Sequence, residues 1–261
     1  MSPSRALGQN FVADPNTVER VVRLARIGSG DNVVEVGAGL GSLTVALAAS
    51  GARVLAIELD RRLSPVLRDS VEPLGVRVLQ ADAMRCDWEK VLASSLEWVL
   101  VANLPYNIAV PLLLDLLTSV PRISRMLVMV QREVGERLAA VPGDAAYGAV
   151  SVRVAYFAEA SLVGRVPASV FLPRPSVESV LVRLGRLDAP AVDPADASFE
   201  EIDRLVRAGF ATRRKMLRRS LAGLVTTEAF DQAGVAPTAR AEELSVSDFG
   251  RLARAAAVAR G

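Results

Sequence analysis

The chain has 261 residues, 51% of them apolar and 23% charged, which provides for one sizeable core with a smaller second unit and excludes a disordered tail. A single cysteine, Cys86, and no histidine exclude an internal disulfide, Ser-His-Asp and Cys-His machinery and a cysteine-rich metal site, so no metal is expected. The net charge of +2 is too small to identify a partner, and the placement of charge along the chain carries that question.

The N-terminus, Met1-Ser2-Pro3-Ser4-Arg5, lacks the apolar stretch of a secretory signal. The best candidate for a membrane span, Ile108 to Leu117, is short and contains Pro111 and Asp115. A cytoplasmic location without a membrane partner is expected.

An amphipathic helix comes first, with Asp14 as its N-cap, Pro15 at its first position and Val18, Val21, Val22 and Ala25 on one face. Apolar runs at Val33–Val36, Arg53–Ile57, Val76–Leu79, Trp98–Ala102 and Met126–Val130 then alternate with helical patterns such as Leu43–Ala49 and Pro111–Thr118. Continuous Val/Leu/Ile strands separated by helices predict an α/β fold, a doubly wound parallel sheet covered on both faces. A late strand is read at Val177–Leu184, and the Pro/Ala/Asp-rich stretch Asp188–Ser198 has the composition of a linker. The remainder is wholly helical, giving a catalytic domain over residues 1–186 and a small all-helical domain over residues 187–261.

The strand ends carry the chemistry. After the first strand comes Glu35-Val36-Gly37-Ala38-Gly39-Leu40-Gly41, a strand-to-helix turn where glycines admit a ligand to the backbone and the helix start favours an anion. Ser42 stands where a dinucleotide fingerprint has glycine, so the loop resembles instead that of class I methyltransferases; a tight turn without a ligand is the plainer reading. After the second strand, Glu58 is assigned to ribose hydroxyls and Asp60 to capping a helix that begins at Arg61. After the third, Asp82 suits an adenine amino group and the Ala83 N–H a ring nitrogen, with capping of the next turn an equal alternative. Glycines, ribose acid and adenine acid in this order resemble a site for S-adenosyl-methionine.

The fourth strand ends in Asn103-Leu104-Pro105-Tyr106. Leu104, preceding proline, is held extended, which fixes the direction of its carbonyl. The Asn103 side chain and that carbonyl can accept both hydrogens of an adenine N6, drawing its lone pair out of the ring, while Tyr106 stacks on the base. Otherwise the segment is an Asn-Pro turn with a core tyrosine.

From Arg204 to Thr227 the chain has no acid and seven Arg or Lys residues. At about 100° per residue Arg207, Arg214 and Arg218 share one helical stripe, with Gly209 a point where the helix breaks in two. A charge run is usually a solvated face; without i,i+4 acids it points to phosphate contact by Arg207, Arg213, Arg214, Lys215 and Arg218.

With Leu7-Gly8-Gln9-Asn10-Phe11 near the start, Asn103-Leu104-Pro105-Tyr106 in the middle and Phe171-Leu172-Pro173-Arg174-Pro175-Ser176-Val177-Glu178-Ser179 late, the chain resembles the rRNA adenine N6,N6-dimethyltransferase family. Arg213-Arg214-Lys215-Met216-Leu217 and Arg240-Ala241-Glu242-Glu243-Leu244-Ser245 resemble its small-subunit branch. The resemblance covers nearly the whole chain. It implies a class I methyltransferase (Rossmann-like) domain, S-adenosyl-methionine as cofactor, contact with it by Asn10 and Val12, and Phe171 enclosing the target base opposite Tyr106. It also implies transfer of four methyl groups to two adjacent adenosines near the 3′ end of 16S rRNA in the small ribosomal subunit, by a monomer. Departures are Val12 for the usual Leu, Asn107-Ile108-Ala109-Val110 for Asn-Ile-Ser-Thr, and Arg219-Ser220 for Asn-Asn. A large-subunit methyltransferase of the macrolide-resistance type and a non-catalytic nucleic-acid-binding factor are the alternatives.

Overall fold

Strands too apolar to face water on either side must lie inside a sheet covered by helices, and the apolar runs do so here. The computed structural model describes residues 9–212 and 214–258; Leu7, Gly8 and Arg213 lie outside the described residues. The strands are β1 (Phe11–Val12), β2 (Asn32–Val36), β3 (Arg53–Glu58), β4 (Arg77–Gln80), β5 (Trp98–Asn103), β6 (Ile123–Gln131), β7 (Ala158–Val166), β8 (Phe171–Leu172) and β9 (Ser179–Arg186). Seven form one sheet in the order β4-β3-β2-β5-β6-β9-β7, while β1 and β8 pair separately and antiparallel. Strands β2 to β6 pair in parallel, and β9 returns antiparallel beside β6.

The helices are α1 (Pro15–Ala25), α2 (Ser42–Ala49), α3 (Ser64–Val71), α4 (Trp88–Val91), α5 (Ala109–Ser119), α6 (Arg132–Ala139), α7 (Ala149–Phe157), α8 (Phe199–Ala211), α9 (Leu217–Ser220), α10 (Thr227–Ala233) and α11 (Val246–Val258). Asp14 caps α1 by accepting the Thr17 N–H at 2.9 Å, and Val18, Val21 and Ala25 are buried as the sequence predicts. The next cap differs. Helix α3 begins at Ser64, not Arg61, because Asp60 first closes a turn whose Leu63 and Ser64 N–H groups donate to its carbonyl. Among the described residues no helix is long and apolar enough to cross a membrane.

Strand order reverses at β2: β3 and β4 lie on one side, β5 and β6 on the other. The crevice beyond the carboxyl ends of β2 and β5 is where such sheets take ligands. It brings the glycine loop after β2 to the chain leaving β5.

The chain divides into two compact units, residues 1–135 with 161–186 and residues 136–160 with 187–261. A single cut after residue 186 therefore misses one excursion. Tyr147, Val152 and Tyr156 belong to the same apolar cluster as Ile202, Leu205, Leu217, Phe230, Phe249 and Leu252, which draws 136–160 into the helical unit. The stretch read as a linker is also packed: Ala197 is buried, the Ala191 N–H donates to the Tyr156 carbonyl, and Val192 fills the space a side chain on Gly250 would need. Nor does Gly209 break its helix. It lies inside α8 where a Cβ would come within 3.1 Å of Ala241, and the break follows at Thr212–Met216.

One arginine holds the sheet to α5. The Arg186 guanidinium donates to the carbonyls of Leu117 (2.8 Å), Leu116 (2.9 Å) and Val120 (3.1 Å) at the end of α5 and to that of Ile123 (2.9 Å) at the start of β6; the Leu116 and Val120 oxygens also accept the N–H groups of Val120 and Ile123. Partial burial draws its pKa down, yet an arginine stays charged. Arg186→Met is expected to lower unfolding stability by about 1–3 kcal/mol, because four partly buried carbonyls lose a charged donor, while those of Leu116 and Val120 keep a backbone N–H in its place. A urea midpoint unchanged from wild type would contradict this.

Candidate active site

Strand β2 delivers the glycine loop. Gly37 and Gly39 adopt φ of 75° and 59°, in the left-handed region where a side chain is strained. A Cβ on Gly37 would lie 3.2 Å from Pro105 Cδ, and one on Gly39 2.7 Å from the Phe11 ring. Their bareness lets the loop lie against the Asn-Leu-Pro-Tyr segment on one side and the N-terminal segment on the other.

Glu58 ends β3. Its Oε2 accepts the Gly39 N–H and its Oε1 the Asp60 N–H, each at 2.7 Å, and the residue is only 6% exposed. A carboxylate with two donors still has lone pairs for two hydroxyls. Asp60 is otherwise engaged: Arg62 contacts both its oxygens and the Gln9 amide donates at 3.0 Å. The Arg62 hydrogen bond, foremost among these, holds the Asp60 carboxyl well below the usual carboxylate range.

Asp82 follows β4 and accepts the Met84 N–H at 3.0 Å, so it does cap the short turn Ala83–Arg85. Its second oxygen stands 3.7 Å from Arg85. The Ala83 N–H, first in that turn, has no acceptor within it. The cap and a ligand contact are compatible at this residue.

Asn103 ends β5, and its Nδ2 donates to the Asn10 carbonyl at 2.8 Å, which leaves Oδ1 as the acceptor. The Leu104 N–H is spent on the Met129 carbonyl, fixing the backbone from which its own carbonyl projects. The Tyr106 hydroxyl lies 2.9 Å from Ser179 Oγ. Burial pushes that phenol up, against a smaller opposing effect of the Ser179 hydrogen bond.

One pocket is lined by Asn10, Val12, Gly37, Gly39, Glu58, Asp82, Ala83, Asn103, Leu104, Pro105 and Tyr106. Phe171 is not among them. It pairs with Val12 across β1 and β8 and is buried in the main apolar cluster at 4% exposure, so the structure does not place it as a wall of this pocket. The aromatic ring that lines the pocket beside Tyr106 is Phe11, adjacent to the assigned Asn10. Leu40 and Leu59 join it, with no place among the sequence-predicted site residues. They line the pocket while 42% and 47% exposed, and a leucine directly after a strand-end glycine or acid is the signal that marks them.

The basic residues divide. Arg207 is paired with Asp203, one residue before the acid-free window begins, and Asp203 also holds Arg153. Arg207 is therefore compensated. Arg214, Lys215 and Arg218 are exposed with no ion pair among the described residues, and Arg213 lies outside them. The single stripe does not exist: α8 ends at Ala211, and Met216 bridges to Arg240 before α9 starts.

A further carboxyl lines the pocket. Glu35 is 2% exposed and accepts the Thr44 hydroxyl at 2.6 Å. Burial pushes its pKa up to about 8, with Thr44 opposing and the Glu58 charge adding to the rise. Between the ordinary value of 4.5 and about 8 the folded form binds a proton that the unfolded form has lost. This group's contribution to stability is thus greatest below pH 4.5 and lost as pH rises to about 8, by about 1.4 kcal/mol per pH unit. Glu35→Gln is expected to flatten that decline. Urea unfolding at several pH values through this window tests it, and parallel slopes for the two proteins would refute it.

The family model for ribosomal RNA adenine dimethylase matches residues 3–257. The ribosomal RNA small subunit methyltransferase A of Cutibacterium acnes is 45% identical over 99% of this chain and 90% of its own length. The protein of that name from Thermobifida fusca is 46% identical over 96% and 89%. Among solved structures, a dimethyladenosine transferase from Plasmodium falciparum superposes with a TM-score of 0.79 at 26% identity, covering 93% of this chain and 95% of that one. The 23S rRNA methyltransferase ErmE does so with a TM-score of 0.74 at 25% identity, covering 94% and 98%. A family model that spans the chain almost end to end, and relatives of such identity over the same span, lead to one conclusion: the chain belongs to the ribosomal RNA adenine dimethylase family.

Proposed function

We propose that the protein uses S-adenosyl-methionine in the cytoplasm to convert two adjacent adenosines near the 3′ end of 16S rRNA to N6,N6-dimethyladenosine, within the small ribosomal subunit. The observation that carries this reading is the single pocket in which Glu58 and Asp82 meet the Asn103-Leu104-Pro105-Tyr106 segment. The small-subunit target is favoured over the large one by identities of 45% and 46% to proteins named for the small subunit, against 25% to the 23S enzyme.

The donor set suits the cofactor. Glu58 offers acceptors to ribose hydroxyls, Asp82 and the Ala83 N–H suit an adenine edge, and the bare Gly37 and Gly39 leave room beside Asn10 and Val12. When bound, S-adenosyl-methionine supplies an activated methyl group on a sulfonium. The protein must then present a nucleophile, and adenine N6 is a poor one while its lone pair is delocalised. Asn103 Oδ1 and the Leu104 carbonyl accept its two hydrogens and free that pair, and Tyr106 stacks on the base. No imidazole is needed, because the gain comes from holding N6 in line with an already reactive methyl. Phe171 serves as a second wall only if its ring leaves the core.

Outside the pocket, Arg214, Lys215 and Arg218 are assigned to RNA phosphates, with Arg213 beside them in sequence. Such contacts position the enzyme without reading bases. Arg207, paired with Asp203, contributes less.

Incubation with small subunits that lack the modification, followed by mass spectrometry, should yield two dimethyladenosines; methylated large-subunit RNA instead would refute the proposal. Asn103→Ala should lower transfer by on the order of 10²-fold or more while RNA binding persists. Near-normal turnover would mean that the amide does not grip N6. Arg214→Ala and Arg218→Ala should each weaken RNA binding and reduce the slope of log K against log salt by about 1, read from binding titrations at several salt concentrations.

A further inference from the structure

Tyr106 carries a hydroxyl that stacking does not require, since a phenylalanine ring has the same face. That hydroxyl has one partner, Ser179 Oγ, at 2.9 Å, and Ser179 is completely buried. Burial raises the phenol, so it remains protonated at neutral pH and is no general base. What is left for it is to fix the ring.

We propose, on the reading of Tyr106 as the stacking platform given above, that Ser179 is a positioning residue for the target base: its buried hydroxyl pins the far end of the Tyr106 ring and sets the plane on which the base lies. The anchor is rigid. Ser179 opens β9 opposite Gln131, two residues past Met129, which faces Asn103 across β5 and β6. A Cβ on Gly135 would lie 2.2 Å from Val180, so α6 is seated directly on the start of β9. Ser179 thus ties the ring of Tyr106 to the part of the sheet that already fixes Asn103 and Leu104. The amide, the carbonyl and the stacking plane are then referred to one frame.

The test uses the full chain and its small-subunit substrate. Ser179→Ala should lower kcat about 5- to 20-fold, with KM for the subunit and the Kd of S-adenosyl-homocysteine within about twofold of wild type. With 2-aminopurine at the target position, stacking on Tyr106 quenches fluorescence, and the variant should lose most of that quenching. Tyr106→Phe, which keeps the ring and removes the bond from the other side, should show the same loss; the double variant should be no worse than either single one. Should Ser179→Ala not fold, Tyr106→Phe decides the matter by itself. Wild-type kcat and quenching in a folded variant would overturn the proposal. A wild-type enzyme that binds no S-adenosyl-homocysteine and methylates no small subunits would instead overturn the reading on which it rests.

Discussion

The Glu58 carboxylate receives N–H groups from two different loops, Gly39 after β2 and Asp60 after its own strand, and the shape of the pocket depends on that pair. One oxygen holds the glycine loop, whose Gly37 lies so near Pro105 that a Cβ there would press on the proline ring at 3.2 Å, at a φ that already strains any side chain. The other holds the turn that Asp60 closes, from which Arg62 and Gln9 are gathered in. Three strand ends are thereby placed in one arrangement. The cost is a carboxylate taken almost wholly out of water, and charge-assisted hydrogen bonds of this length offset it. Because the same group faces the pocket, the device that builds the loop is also available to a ligand.

The Asn103 amide unites two tasks in a similar way. Its nitrogen donates to the Asn10 carbonyl, which fixes the N-terminal segment against the strand end, and its oxygen is thereby oriented as an acceptor. An aspartate could only accept; it would face the Asn10 carbonyl with a second acceptor and add a fourth carboxyl to a pocket that already holds Glu35, Glu58 and Asp82. Glu35 avoids adding to that charge by keeping its proton near neutrality. If the pocket takes a cationic sulfonium and a neutral base, as proposed, a few acceptors of fixed direction serve it better than accumulated negative charge.

The strands and the residues at their carboxyl ends were legible because both signals are local: a Val/Leu/Ile run ends, and a glycine, acid or Asn-Pro step follows. Most misses arose where a distant residue decides. Phe171 turns inward because β8 pairs with β1, some 160 residues earlier, putting its ring with Val12 in the core. Asp60 caps a turn and not a helix at Arg61: its Oδ1 takes the Arg62 N–H while its carbonyl takes those of Leu63 and Ser64, and α3 starts only at Ser64. Arg207 is no free cation, because Asp203, one position before the acid-free stretch, pairs with it. The apparent linker packs because Val192 meets Gly250, a fit that composition does not display.

The division of labour proposed between the basic segment and the pocket has a physical logic of its own. Phosphate contact needs exposed charge that yields to salt, whereas gripping N6 needs acceptors with fixed directions. The first suits the turn between α8 and α9, where Arg214 and Lys215 stand in solvent, and the exposed side of α9, which carries Arg218. The second suits the end of a central strand, where Leu104 is buried and its N–H is bound to Met129 on the neighbouring β6. On the proposed function, affinity and rate rest on different residues, so a loss of one need not be a loss of the other. On the same reading the hydrogen bond between Tyr106 and Ser179 belongs with the second group, since it restricts a ring that lines the pocket and Ser179 itself is buried.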